Sequence, residues 1–184
     1  MMADKNTSSP MHSHRIQGNR KDLCQEHPYG DVGQIIALIL FLIIWALDSF
    51  VFKISTIPAN HIPLAIRLVL AGLCFLIAVY FAFTSHKIIF NEYRDPPRVI
   101  DTGVFSLVRH PLYFSALLIY VGFFFTTFSL FSLLLFICIF LFYDYIARFE
   151  EKKLQEAFGE AYASYKKKTT KWFPRIRSEH HRSP

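Results

Sequence analysis

The sequence predicts an all-α polytopic membrane protein of about four transmembrane helices followed by a C-terminal amphipathic helix. Three observations carry that expectation. Of its 184 residues 53% are hydrophobic; its charges avoid long apolar runs rather than mixing with them; and its Lys and Arg gather on alternate loops.

A spanning helix needs about 20 mostly apolar residues to cross a hydrocarbon core of about 30 Å. The first such run is about residues 34–52, interrupted only by Asp48 near its far end. The second, about 62–83, places Arg67 where it can snorkel to the interface. The third, Leu112 to Ala147, holds 36 residues with Asp144 as its one charge, far too long for a single crossing. It divides at the polar cluster Thr126, Thr127, Ser129 and Ser132 into spans 112–127 and 129–147, with a re-entrant hairpin as the alternative.

Orientation follows from basic residues, which stay on the cytoplasmic side. Lys5, Arg15, Arg20 and Lys21 precede the first span, Lys87, Arg94, Arg98 and Arg109 follow the second, and ten basic residues follow Ala147. Only Lys53 separates the first two spans. Both termini and the central loop are therefore expected in the cytoplasm, and the net charge of +6 reflects topology. Lys166, Lys167 and Lys168 lie beside the membrane, so anionic lipid is their partner and nucleic acid is not expected. Cys24, Cys74 and Cys138 are scattered, giving neither a disulfide framework nor the spacing of a metal site. The first apolar run begins only after a long polar stretch, so it is expected to remain as an anchor rather than be cleaved as a signal.

Residues 1–26 have no apolar periodicity and read as a disordered tail, and residues 177–184 form a C-terminal tail. His27-Pro28-Tyr29-Gly30-Asp31 reads as a turn into the first helix. The polar segment from His86 to Arg109 contains Pro96-Pro97 and Asp101-Thr102-Gly103 and is too long for a plain connection. Residues 150–168 are helix formers with Leu154, Ala157, Phe158, Ala161, Tyr162 and Tyr165 on one face. That helix fits two roles: an interfacial anchor, with Trp172-Phe173 as aromatic-belt residues, or a lid over a site.

Two constellations can carry chemistry. Arg109-His110-Pro111-Leu112-Tyr113 gathers a cation, a titratable ring and a phenol where the polar loop enters the third span. Glu150-Glu151 adds an acidic pair just past the fourth, suited to holding a cationic group. The bland readings are boundary anchoring, an N1 proline, and acids favoured by the dipole of a helix start.

The string Thr102-Gly103-Val104-Phe105-Ser106-Leu107-Val108-Arg109-His110-Pro111-Leu112-Tyr113, then Glu150-Glu151, then Phe158-Gly159-Glu160-Ala161-Tyr162, resembles the isoprenylcysteine carboxyl methyltransferase family and its relatives among phospholipid N-methyltransferases. The similarity covers about residues 86–176 and implies a transmembrane methyltransferase domain over 27–176, using S-adenosyl-L-methionine. It further implies a cofactor loop over 86–111 and a pocket formed by Pro97, Arg98, Val99, Ile100, Phe105, His110, Pro111, Leu112, Tyr113, Glu150, Glu151 and His86. Arg109, His110 and Tyr113 are the catalytic candidates.

The implied acceptor is a hydrophobic or lipid-like molecule drawn from the bilayer, with carboxyl O-methylation favoured because a carboxylate needs no general base. Prenylcysteine-specific relatives carry an Arg four positions before the acidic pair, where this chain has Ile146, and that departure argues against prenylcysteine. The short N-terminal half suggests a prokaryotic member in a bacterial or archaeal inner membrane. Phospholipid N-methylation and a non-catalytic protein that keeps the fold are the competing readings. A channel or transporter lacks support, since Asp48 and Asp144 stand alone.

Overall fold

The computed structural model describes residues 30–91 and 98–174. Over these the chain is helical: α1 (Gly30–Ala46), continued by a π-helical turn (Leu47–Phe52), a 3-10 turn (Ile57–His61), α2 (Leu64–Asn91), the short α3 (Val104–Leu107), α4 (Pro111–Thr127) and α5 (Leu130–Lys168). The segments 1–26 and 177–184, and with them Pro97, lie outside the described residues.

Gly30–Phe52, Leu64–Phe90 and Leu130–Lys168 are each long and apolar enough to cross a membrane. Helix α4, with 17 residues, is shorter; at 1.5 Å per residue it extends only ~26 Å. Large apolar side chains point outward along α1, α2 and α5, among them Ile39, Leu76, Val79, Phe83, Leu134 and Leu141, as they must when the surrounding solvent is lipid.

Two boundaries differ from the sequence expectation. Helix α2 does not stop near Phe83 but runs to Asn91, because no glycine or proline stands between Phe83 and Pro96 and the polar Thr84-Ser85-His86-Lys87 stretch is compatible with helix. The polar loop is correspondingly shorter, and His86 belongs to a helix. The fourth span runs on without a break into the amphipathic helix expected over 150–168, as α5, up to the non-helical backbone of Gly159. The stretch from Leu130 to Phe158 alone extends ~43 Å, more than the hydrocarbon thickness of about 30 Å, so the charged half of α5 past Ala147 projects beyond the apolar layer. Gly159, at φ 51° and ψ −126°, kinks this half. Such a backbone is essentially restricted to glycine.

Aromatic rings knit the bundle. Helices α2 and α4 pack antiparallel through Phe75–Phe123 (5.4 Å between centroids) and Phe81–Phe114 (4.9 Å). Helix α1 meets α4 through Phe41–Tyr120 (4.7 Å), and α4 meets α5 through Tyr113–Tyr143 (5.3 Å). The α4–α5 turn falls at the predicted polar cluster. Phe128 takes a left-handed conformation (φ 50°), and the Ser129 hydroxyl caps α5 by accepting from the Ser132 N–H at 3.1 Å.

The two intramembrane acids are not isolated. Asp48 accepts hydrogen bonds from the Ser55 N–H (3.0 Å), the Ser55 hydroxyl and the Ser129 hydroxyl (2.6 Å), tying the α1–α2 connection to the α4–α5 turn. Asp144 pairs with Arg148 (2.5 Å) and Lys171 (2.7 Å) and accepts from the Trp172 indole N–H (3.0 Å). Trp172 is only 9% exposed, which corrects its expected place in an aromatic belt; Phe173, 74% exposed, keeps that character.

Candidate active site

The site forms where α4 begins, because the chain must there turn from the polar loop into an apolar helix. Gly103 makes the turn with φ 58° and ψ −131°, and a side chain there would run into Ile88 Cδ1 at 2.6 Å. Helix α3 follows. Val108 then forms a parallel bridge with Thr170, and Arg109 N–H donates to the Thr170 carbonyl at 2.9 Å. Pro111 occupies N1 of α4, where its missing N–H costs nothing. The projecting half of α5 is thereby clasped against the loop. Tyr165 donates its hydroxyl to the Phe105 carbonyl (2.6 Å), and Arg109 Nη1 donates to the carbonyls of Lys166 (3.1 Å) and Thr169 (2.9 Å).

At this clasp the two sequence constellations meet. His110, 7% exposed, directs Nδ1 to Glu150 Oε2 (3.5 Å) and Nε2 to Glu151 Oε1 (3.3 Å). Tyr113 donates its hydroxyl to Glu150 Oε1. Glu151, 6% exposed, also receives Arg109 Nε (3.0 Å) and Lys166 Nζ (3.3 Å).

Burial disfavours the charged imidazole, but the hydrogen bonds and charges of Glu150 and Glu151 outweigh it and raise the His110 pKa above its ordinary 6.5. Burial likewise works against the Glu151 carboxylate, yet the His110 hydrogen bond and the Arg109 charge pull its pKa down to about 2. His110 precedes α4 and Glu151 lies on the projecting half of α5, so both sit outside the apolar layer. Burial and the nearby glutamates raise the Tyr162 phenol, and burial raises that of Tyr165, so neither ionises near neutrality.

A cavity of about 550 Å³ opens on this cluster. Its size suits a nucleotide-sized ligand. Of the residues proposed from sequence, Arg98, Val99, Ile100, Phe105, His110, Pro111, Leu112, Tyr113 and Glu150 line it. Arg109 and Glu151 do not; they form the charged cluster behind the His110 wall. His86 also stands apart, exposed on α2 with its ring 4.4 Å from Phe90. The amphipathic face supplies Leu154, Phe158, Tyr162 and Tyr165, which gives α5 the covering role of the two considered for it.

Four lining residues escaped the sequence reading: Asp31 and Gln34 on α1, Ile89 and Phe90 on α2. Gln34 carried a signal, as a polar residue opening an apolar span. Ile89 and Phe90 carried none, being hidden by the early end assigned to α2.

The fold and cavity define an all-α membrane protein with a largely apolar pocket, backed by a charged cluster, at one end of its helices. Residues 60–161 match the phospholipid methyltransferase family, more than half of the chain. The chain belongs to this family of membrane methyltransferases. No curated protein and no solved structure matches it.

Proposed function

We propose that the protein is a methyltransferase that binds S-adenosyl-L-methionine in the 550 Å³ cavity and methylates a hydrophobic, lipid-like acceptor. The observation that carries this reading is Glu150, a carboxylate in the lining of a largely apolar cavity, held by Tyr113 and His110. The donor set fits the cofactor. Glu150 suits an ammonium, Arg98 a carboxylate, and Phe105, Phe158 and Tyr162 offer aromatic surface to a purine. When bound, the cofactor supplies an electrophilic methyl group on a sulfonium. The protein's own task is to orient the partners in line and keep water out.

Ile89, Phe90 and Leu112 bring apolar surface to the lining, which suits an acceptor arriving from the bilayer. Carboxyl O-methylation is favoured because the groups at the cluster are poorly placed to act as bases. Both His110 nitrogens face glutamates, Glu150 already accepts from Tyr113, and the Tyr162 and Tyr165 phenols hold their protons. A carboxylate needs no deprotonation. Ile146 is buried and Arg148, 75% exposed, pairs with Asp144, which weighs against a prenylcysteine-type arrangement with its own acceptor arginine. Asp31 at the rim supports a second reading, an amine headgroup and phospholipid N-methylation. With four spans and both termini in the cytoplasm of a prokaryotic inner membrane, the clasp would face the water-soluble methyl donor.

The test is to incubate membranes containing the protein with methyl-labelled cofactor and extract the lipids. Base-labile label is expected for a methyl ester, and base-stable label in an aminolipid would select the second reading. No transfer above membranes with Glu150→Ala would contradict both.

A further inference from the structure

The strap that follows α5, Thr169 to Phe173, lies past the residues matched by the family and reaches back beneath the site. Its Trp172 ring sits 6.0 Å from the His110 ring and 5.5 Å from that of Phe140. The indole N–H is fixed on Asp144 Oδ1 at 3.0 Å, and neighbouring Lys171 holds the same oxygen at 2.7 Å. His110 is meanwhile stacked on Tyr113, with ring centroids 5.7 Å apart and planes 8° from parallel.

We propose that Trp172 is a positioning residue for His110: anchored on Asp144, its indole packs beside the imidazole whose two ring nitrogens face one glutamate each. The inference rests on the proposed function only in assigning His110 to a ligand pocket. Distances of 3.5 and 3.3 Å to two carboxylates leave the imidazole dependent on its neighbours for its orientation. Tyr113 restrains one face. Trp172 restrains the ring further and keeps water from its N–H. The charged groups around the imidazole are Glu150, Glu151 and Lys166 of α5, Arg109 of the loop and Lys171 of the strap. Trp172 and Lys171 together join this group to Asp144 and the membrane-embedded part of α5. A wobbling His110 would release Glu150, and with it the lining carboxylate.

The experiment uses the full-length 15N-labelled protein in detergent at neutral pH and follows the His110 ring N–H signals, assigned by their loss in His110→Gln. Trp172→Phe keeps a flat ring, Trp172→Leu removes it, and Phe140→Leu loosens the same packing without touching His110. Slow-exchanging His110 ring signals are expected in the unaltered protein, Trp172→Phe and Phe140→Leu, and their loss in Trp172→Leu. Binding of S-adenosylhomocysteine is expected to weaken about tenfold in Trp172→Leu, the scale of one lost polar contact. Retention of the His110 signals in Trp172→Leu, or their equal loss in Phe140→Leu, would overturn the proposal. Because the signals are read without ligand, failure of the methyl-donor reading would appear separately, as absence of binding in the unaltered protein.

Discussion

Tyr113 on the first turn of α4 donates its hydroxyl to Glu150 of α5, and both residues line the same cavity. The phenol thereby aims the carboxyl group into the cavity wall. Tyr113→Phe is expected to weaken binding of S-adenosylhomocysteine about tenfold, since a hydrogen bond to a charged group contributes about 1.5–3 kcal/mol. The melting temperature should move little. Isothermal titration beside a thermal melt checks both, and unchanged affinity would show that Glu150 needs no such support.

Glu151 lies behind the cavity lining, and its expected role is stability. Its carboxylate answers Arg109, His110 and Lys166 while buried, so Glu151→Ala strands buried positive charge. Breaking a buried pair costs about 3–5 kcal/mol, and a clear fall in melting temperature is the expected result. Glu151→Ala with unaltered stability but lost ligand binding would move Glu151 into the pocket instead.

The same pair sets a pH window. Glu151 has a folded pKa of about 2 against an ordinary 4.5, so its stabilisation is complete above 4.5 and is lost as pH falls toward about 2. His110 has a folded pKa raised above 6.5, so its contribution is complete below 6.5 and is lost as pH rises through the raised value. Thermal melts across pH should show a plateau between these limits. In His110→Gln the alkaline fall attributable to the imidazole should disappear.

Gly159 tests the kink. A Cβ there meets nothing within 4 Å, so Gly159→Ala is penalised by backbone conformation alone, φ being 51°. Strain of this kind costs about 1–3 kcal/mol. Lower melting temperature is expected together with weaker ligand binding, because Leu154 and Phe158 reach the cavity from one side of the kink and Tyr162 and Tyr165 from the other. Unchanged binding would show that the kink does not shape the lid.

Asp48 provides the contrast. Asp48→Ala removes the acceptor for Ser55 and Ser129 at the end of the bundle away from the clasp. Stability should fall by about 1–3 kcal/mol for the donors left unpaired, while affinity for S-adenosylhomocysteine stays the same. A large loss of affinity would mean that the two ends are coupled.

The apolar runs made the helices legible, and the serines and threonines near Ser129 made the α4–α5 turn legible. Helix ends were less so. Polar residues such as Thr84 to Lys87 look like a loop on paper, yet nothing in them breaks a helix, and α2 continues to Asn91. Motif order brought His110 and Glu150 together correctly, since both lie at one membrane boundary. It could not separate Glu150, which lines the cavity, from adjacent Glu151, which turns to Arg109, because one step along a helix rotates a side chain by about 100°. Nor could it place Trp172, whose partner Asp144 is distant in sequence and looked like a lone intramembrane acid.

The central claim is that Glu150 holds a methyl donor in this cavity, and calorimetric titration of the purified protein with S-adenosylhomocysteine tests it most directly. Saturable binding that Glu150→Gln weakens at least about tenfold, the loss of one charge-assisted contact, is the predicted result. Absence of binding at millimolar ligand, or equal affinity in Glu150→Gln, would contradict it.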